Sequence, residues 1–291
     1  MLMLLCQLAD AKAQPLTMTE FRHLEHRFAG ALPGQDGEVT ARVLCGLGLP
    51  SDEAERVERL LDREEKLDRY LLAAERRGIE PVTRLDVRYP ARLLQKLGER
   101  APAVLFVMGD AKLLSGDCIS LVGARDLSED AEDFAQRVGA LCAKENYTLC
   151  SGGARGADRM AQTICHTLGG RALIFVADRL IDHVPEANTV YCSLDGCELP
   201  FSAARAHTRN RLIHAMGQLT FVAQAHLRRG GSWAGTAENL RLHLSPVYCH
   251  DDGSEAMQSL HMLGANLLPL EALQSVRSLV EKTCAENANT N

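Results

Sequence analysis

Between Cys118 and Cys249 the chain alternates short apolar runs with longer stretches of mixed polarity. "CISLVG", "YTLCSG", "ALIFVA", "LTFVAQA" and "SPVYC" are continuous apolar runs of strand length, the pattern of strands buried on both faces. Between them, "SEDAEDFAQRVGALCAKE" opens with Ser128 as N-cap and with acids in the first turn. "ADRMAQTICHTLG" places Ala157, Met160, Ala161, Ile164 and Leu168 on one face at helical spacing and stops at Gly169. Strand and helix in turn predict an α/β protein, with a Rossmann-like doubly wound parallel sheet covered on both sides.

The chain up to about Leu85 reads differently. "TEFRHLEHRFAG", "EVTARVLCGLGLP" and "SDEAERVERLLDREEKLDRYLLAAERRGIEP" are helical patterns ended by Gly or Pro. Their charges, Arg63 among them, read as a solvated helix face. The expected organisation is a small helical domain over 1–85, the Rossmann-like domain over 86–275 and a loose polar tail over 276–291.

Composition narrows what such a fold can bind. At 291 residues and 46% hydrophobic, the chain can bury a real core. Its 32 basic residues stand against 38 acidic ones, a net charge of -6, so a uniformly basic nucleic-acid coat is excluded and any anion site is local. No apolar run reaches the ~18 residues of a membrane span. The start, "MLMLLCQLADAKAQP", has no positive charge ahead of its short apolar stretch, so no signal peptide is read there and a cytoplasmic location is expected. Ten cysteines without a Cys-x-x-Cys pair read as buried reduced thiols. No metal or cofactor is expected.

Three stretches carry candidate chemistry. In "SGGARGAD", at a strand end, Gly152, Gly153 and Gly156 let backbone N–H groups approach a ligand beside a helix N-terminus. Arg155 adds a donor suited to phosphate or carboxylate. The spacing is neither a dinucleotide fingerprint nor a P-loop. In "LVGARDLS", Gly123 and Arg125 stand at another strand end; the bland alternative is a surface arginine paired with Asp126 or Glu129. The third stretch, Leu199 to Ala237, holds no Asp or Glu but contains Arg205, Arg209, Arg211, Arg228 and Arg229. Its end, "GGSWAGTAE", places Ser232 and Thr236 at a helix start, where they could bond phosphate oxygens.

Together and in order, "YPARLLQKL…APAVLFVMGD", "ISLVGARDLS", "LCSGGARGAD", "VPEANTV", "TRNRLI" and "GGSWAGTAENL" resemble the DNA-processing protein A (DprA, or Smf) family over about Asp86 to Leu268. The resemblance implies a single-stranded DNA-binding protein without catalytic activity, a homodimer that hands DNA to a RecA-type recombinase during uptake and recombination. It puts DNA contacts on Arg125, on Ser151 to Gly156, and on Arg209, Asn210 and Arg211. The chain departs from the family pattern at Gln224-Ala225, where the pattern has Glu-Ala, and at Ala161-Gln162, where it has Ala-His. No winged-helix pattern follows the Rossmann segment. Two other functions stay open on the same loops: a nucleotide-binding sensor, and a phosphoribohydrolase acting on nucleoside monophosphates, whose glycine signature "RRGGSWAGTAE" only approximates.

Overall fold

The computed structural model of the chain describes residues 2–8, 13–28, 39–194 and 196–288. Gly30, read as a helix stop, and the last residues of the tail, 289–291, lie outside the described residues. Among the described residues no helix is long and apolar enough to cross a membrane.

The first helices are α1 (Leu2–Leu5), α2 (Met18–Phe28), α3 (Ala41–Gly46), α4 (Ser51–Leu61) and α5 (Glu64–Glu75). Leu16, Phe28, Leu44, Leu49, Val57 and Leu60 bury a small core among them. Arg63 is no surface charge. It is 6% exposed between α4 and α5 and donates to the carbonyls of Met3 and Cys6, so it pins the first helix to the rest.

Residues 79–83, read as the end of the helical part, form strand β1 (Ile79–Thr83), antiparallel to β2 (Val104–Gly109), with Ile79 beside Met108 and Val82 beside Leu105. Pro81 is tolerated because β1 is an edge strand. Helix α6 (Ala91–Leu97) lies between the two in sequence. The parallel part follows as β3 (Cys118–Val122), α7 (Glu129–Lys144), β4 (Thr148–Ser151), α8 (Ala157–Thr167), β5 (Arg171–Phe175), β6 (Thr189–Ser193), α9 (Ala203–Met216), β7 (Thr220–Val222), α10 (Gly230–Leu242), β8 (Val247–His250), α11 (Glu255–Met262) and β9 (Asn266–Leu268).

The nine strands run in the order β1-β2-β6-β5-β4-β3-β7-β8-β9. From β6 to β9 every neighbour is parallel. Alternate side chains of each strand go to opposite faces. Ile119, Leu121, Leu149 and Phe221 pack with Phe134, Val138 and Ala161 of α7 and α8, whereas Val122, Cys150, Val222 and Cys249 pack with Leu93, Leu212, Ile213 and Leu260 of α6, α9 and α11. The sheet is therefore doubly wound, as the apolar runs predicted.

The tail is not loose. Val276–Ala288 forms a helix, α12, with Val276 buried and Thr283 hydrogen-bonded to Tyr248 Oη at 3.0 Å. Its charged residues, Arg277, Glu281, Lys282 and Glu286, are exposed, which hides the anchoring face from a reading of composition alone.

Candidate nucleic-acid interface

Chain direction through the sheet reverses at β3. From there the chain moves out through β4, β5 and β6 on one side, then returns beside β3 as β7. In open α/β sheets the crevice outside the carboxyl ends of the strands at such a switch point is where ligands bind. A cavity of about 490 Å³ lies there. Its walls come from the loop after β3 (Gly123, Arg125), from α9 and its lead-in (Phe201, His207, Arg209, Asn210), from the turn after β7 (His226, Arg229) and from the first turn of α10 (Ser232).

Arg209 is the most buried cation of the cavity. It is 8% exposed, and its Nε has no hydrogen-bond partner among the described residues. Burial lowers the guanidinium's affinity for its proton, and Asp158 and Asp178 oppose that shift. Its partner in charge, Asp158, is itself buried, which raises the carboxyl above its usual range against the Arg209 charge and two backbone N–H donors. The two do not form a close ion pair. Asp158 Oδ2 instead accepts from the backbone N–H of Gly152 at 3.0 Å and of Ala154 at 3.2 Å.

That contact corrects the expectation for "SGGARGAD". The loop does not present all its amides outward, because Asp158 takes two of them. Its glycines serve packing. A Cβ on Gly152 would collide with the Arg209 guanidinium, and one on Gly156, at φ +87°, would strike the backbone of Ala124 and Arg125. Only Gly lets these two strand-end loops lean together, with the N–H of Ala157 donating to Ala124 O at 3.2 Å. Gly153 packs over Ile174 of β5. The loop thus seats Arg209 and supports Arg125 more than it cradles an anion itself.

Other candidates divide by where their elements put them. Arg125 is exposed, lines the cavity and has no hydrogen bond or ion pair among the described residues. Arg155 takes the acid that sequence had offered to Arg125: it reaches Asp126 at 2.9 Å, 76% exposed and outside the cavity wall. Asn210 lines the cavity and donates from Nδ2 to Gly231 O at 3.2 Å, tying α9 to the start of α10. Ser232 lines it too, with its hydroxyl committed to Gly123 O at 2.6 Å. Gly123 closes the same corner, its Cα against Ala157.

Three expected contacts fall away from the cavity. Ser151 is fully buried and accepts from Gln162 Nε2 at 2.5 Å. Thr236 sits inside α10, beyond its first turn and fully buried, not at a helix start. Arg211 pairs with Glu238 of α10 at 2.6 Å. Burial pushes the Glu238 carboxyl up, but the Arg211 hydrogen bond and the Arg211 and His207 charges outweigh it and hold the group below its usual range. The two departures from the family pattern have structural work: Gln162 holds Ser151, and Gln224 Oε1 accepts from Ser128 N–H at 2.9 Å.

Asp158 and Phe201 were not among the sequence candidates, whereas Arg229 and His207 belong to the acid-free stretch. Only Phe201 had a signal to find it, an aromatic in a polar segment; it is 56% exposed at the cavity wall.

No curated protein sequence matches the chain. Among solved structures, it superposes on DNA processing protein A (DprA) from Streptococcus pneumoniae with a TM-score of 0.69 and 21% identity, over 89% of this chain and 92% of that one. DNA processing protein A from Helicobacter pylori, whose structure is described for its single-stranded DNA binding mode, superposes with a TM-score of 0.56 and 17% identity, over 72% and 96%. These likenesses establish the fold. Residues 80–280, more than half of the chain and nearly all of the sheet with its switch-point cavity, match the DNA recombination-mediator protein A family, and the chain belongs to that family.

Proposed function

We propose that the chain is a non-catalytic single-stranded DNA-binding protein that acts in DNA processing and recombination, with a backbone phosphate seated in the switch-point cavity. The observation that carries this reading is Arg209, a nearly buried guanidinium whose Nε lacks an acceptor and which lines an open cavity beside the unpaired Arg125. An arginine desolvated without a close counterion is poised for an anion. The H. pylori relative's single-stranded DNA binding supports strand over mononucleotide. For a phosphoribohydrolase, the carboxylate on offer is Glu238, and Arg211 and His207 already occupy it; that favours binding without chemistry.

The family resemblance supplies two partners. A homodimer is supported by Met262 and Leu263, large apolar side chains exposed at the end of α11 beside the sheet's edge strand β9. A RecA-type recombinase is the proposed recipient of the bound strand. Ten free cysteines, eight of them buried, support a reducing, cytoplasmic location.

Fluorescence anisotropy with labelled single- and double-stranded oligonucleotides across a salt series tests the reading. Single strands should bind more tightly, with log affinity falling linearly as log salt rises. No affinity for single strands at low salt, with a nucleotide retained by the purified protein, would favour the sensor instead.

A further inference from the structure

We infer that the turn between β7 and α10 carries a second phosphate seat at the rim of the cavity, centred on Arg228, and that the ligand therefore spans at least two phosphates. The inference rests on the cavity being a phosphate site.

His226, Arg228 and Arg229 are all exposed on this turn, which closes on itself through the N–H of Arg229 donating to His226 O at 3.0 Å. Arg228 lies in the left-handed region at φ 52°, a conformation that costs a non-glycine residue on the order of 1 kcal/mol. Neither Arg228 nor Arg229 has an ion pair or side-chain hydrogen bond among the described residues, whereas Arg155, Arg205 and Arg211 each have one. No acidic residue lies between Leu199 and Ala237 to offset them.

Placement separates the seats. His226 and Arg229 line the cavity rim, and Arg228 stands outside it. A cavity of about 490 Å³ is in the range that holds one small ligand. A strand with one unit in the cavity must leave over the rim, and unpaired cations stand there to meet its next phosphate. A mononucleotide seated in the cavity would meet Arg229 at the rim but not Arg228 outside it.

The test compares wild type, Arg228→Asn with Arg229→Gln, Arg125→Ala and all three changes together, using a labelled oligothymidylate at several salt concentrations. Asn suits the left-handed position and both arginines are exposed, so melting temperatures should be unchanged. Each lost phosphate contact lowers the slope of log affinity against log salt by about 0.7 for single strands. The slope should fall by about 1.4 for the turn pair, about 0.7 for Arg125→Ala and about 2.1 for the triple variant, with the turn pair binding about tenfold more weakly or worse at low salt. A wild-type slope in the turn pair beside a reduced one in Arg125→Ala would overturn the second seat and leave the cavity standing. A triple variant no worse than Arg125→Ala would likewise overturn the second seat. Failure of the wild type to bind the strand would remove the cavity reading, and this inference with it.

Discussion

The Arg209 guanidinium fills the space that a side chain on Gly152 would take. Because the colliding atoms belong to the tip of a flexible side chain, Gly152→Ala should cost little stability, less than about 1 kcal/mol in a thermal melt. It should still push Arg209 out of its seat and weaken DNA binding nearly as much as Arg209→Ala. A variant that binds as wild type would mean the guanidinium's position is not what matters.

Arg211, two residues along α9, should behave in the opposite way. Its substitution should leave the salt slope unchanged and release Glu238. Since the folded-state carboxyl titrates below its unfolded value of about 4.3, the pair's stabilisation is fully present above that pH and lost as pH falls through the lower folded value. Acid melts should show wild type losing this increment below about pH 4, and Arg211→Met lacking it at neutral pH.

At the scale of elements, α9 explains why sequence could name the right arginines without ranking them. "TRNR" puts two cations two positions apart, so they point to different sides of a helix. Arg209 falls in the stripe of Leu212, Ile213 and Met216, all buried, and this periodicity was a usable signal that it faces inward. The strands of the doubly wound sheet were legible because both faces are covered and their runs are apolar throughout. β1 was hidden by a proline acceptable only at an edge, and α12 by a polar face. The capture of two loop amides by Asp158 was not legible, because it depends on where the helix turns its third dimension and not on spacing.

Helix α1 gives an element-scale prediction. Arg63 holds its backbone carbonyls, and charged hydrogen bonds of this kind contribute roughly 1.5–3 kcal/mol. Arg63→Ala should lower the melting temperature while leaving oligonucleotide affinity intact below the transition. Weakened binding by a still-folded variant would tie the N-terminal helices to the site.

For the whole molecule, all ten cysteines are free and only Cys45 and Cys284 are exposed. Thiol titration of the native protein should therefore count two fast groups, and ten after denaturation without reductant. Burial pushes the others above the ordinary thiol range, Cys118 to about 12 and Cys165 to about 11, which slows them further.

The central claim, that the switch-point cavity seats a DNA phosphate, is tested most directly at Arg125, which is exposed, unpaired and replaceable without disturbing the core. Anisotropy titrations of a labelled single strand across a salt series should give Arg125→Ala a weaker affinity for every sequence and a slope smaller by about 0.7. Arg59→Ala, at an exposed position on α4 far along the chain from the cavity loops, should match wild type in both. Equal losses in the two variants, or none in Arg125→Ala, would contradict the site.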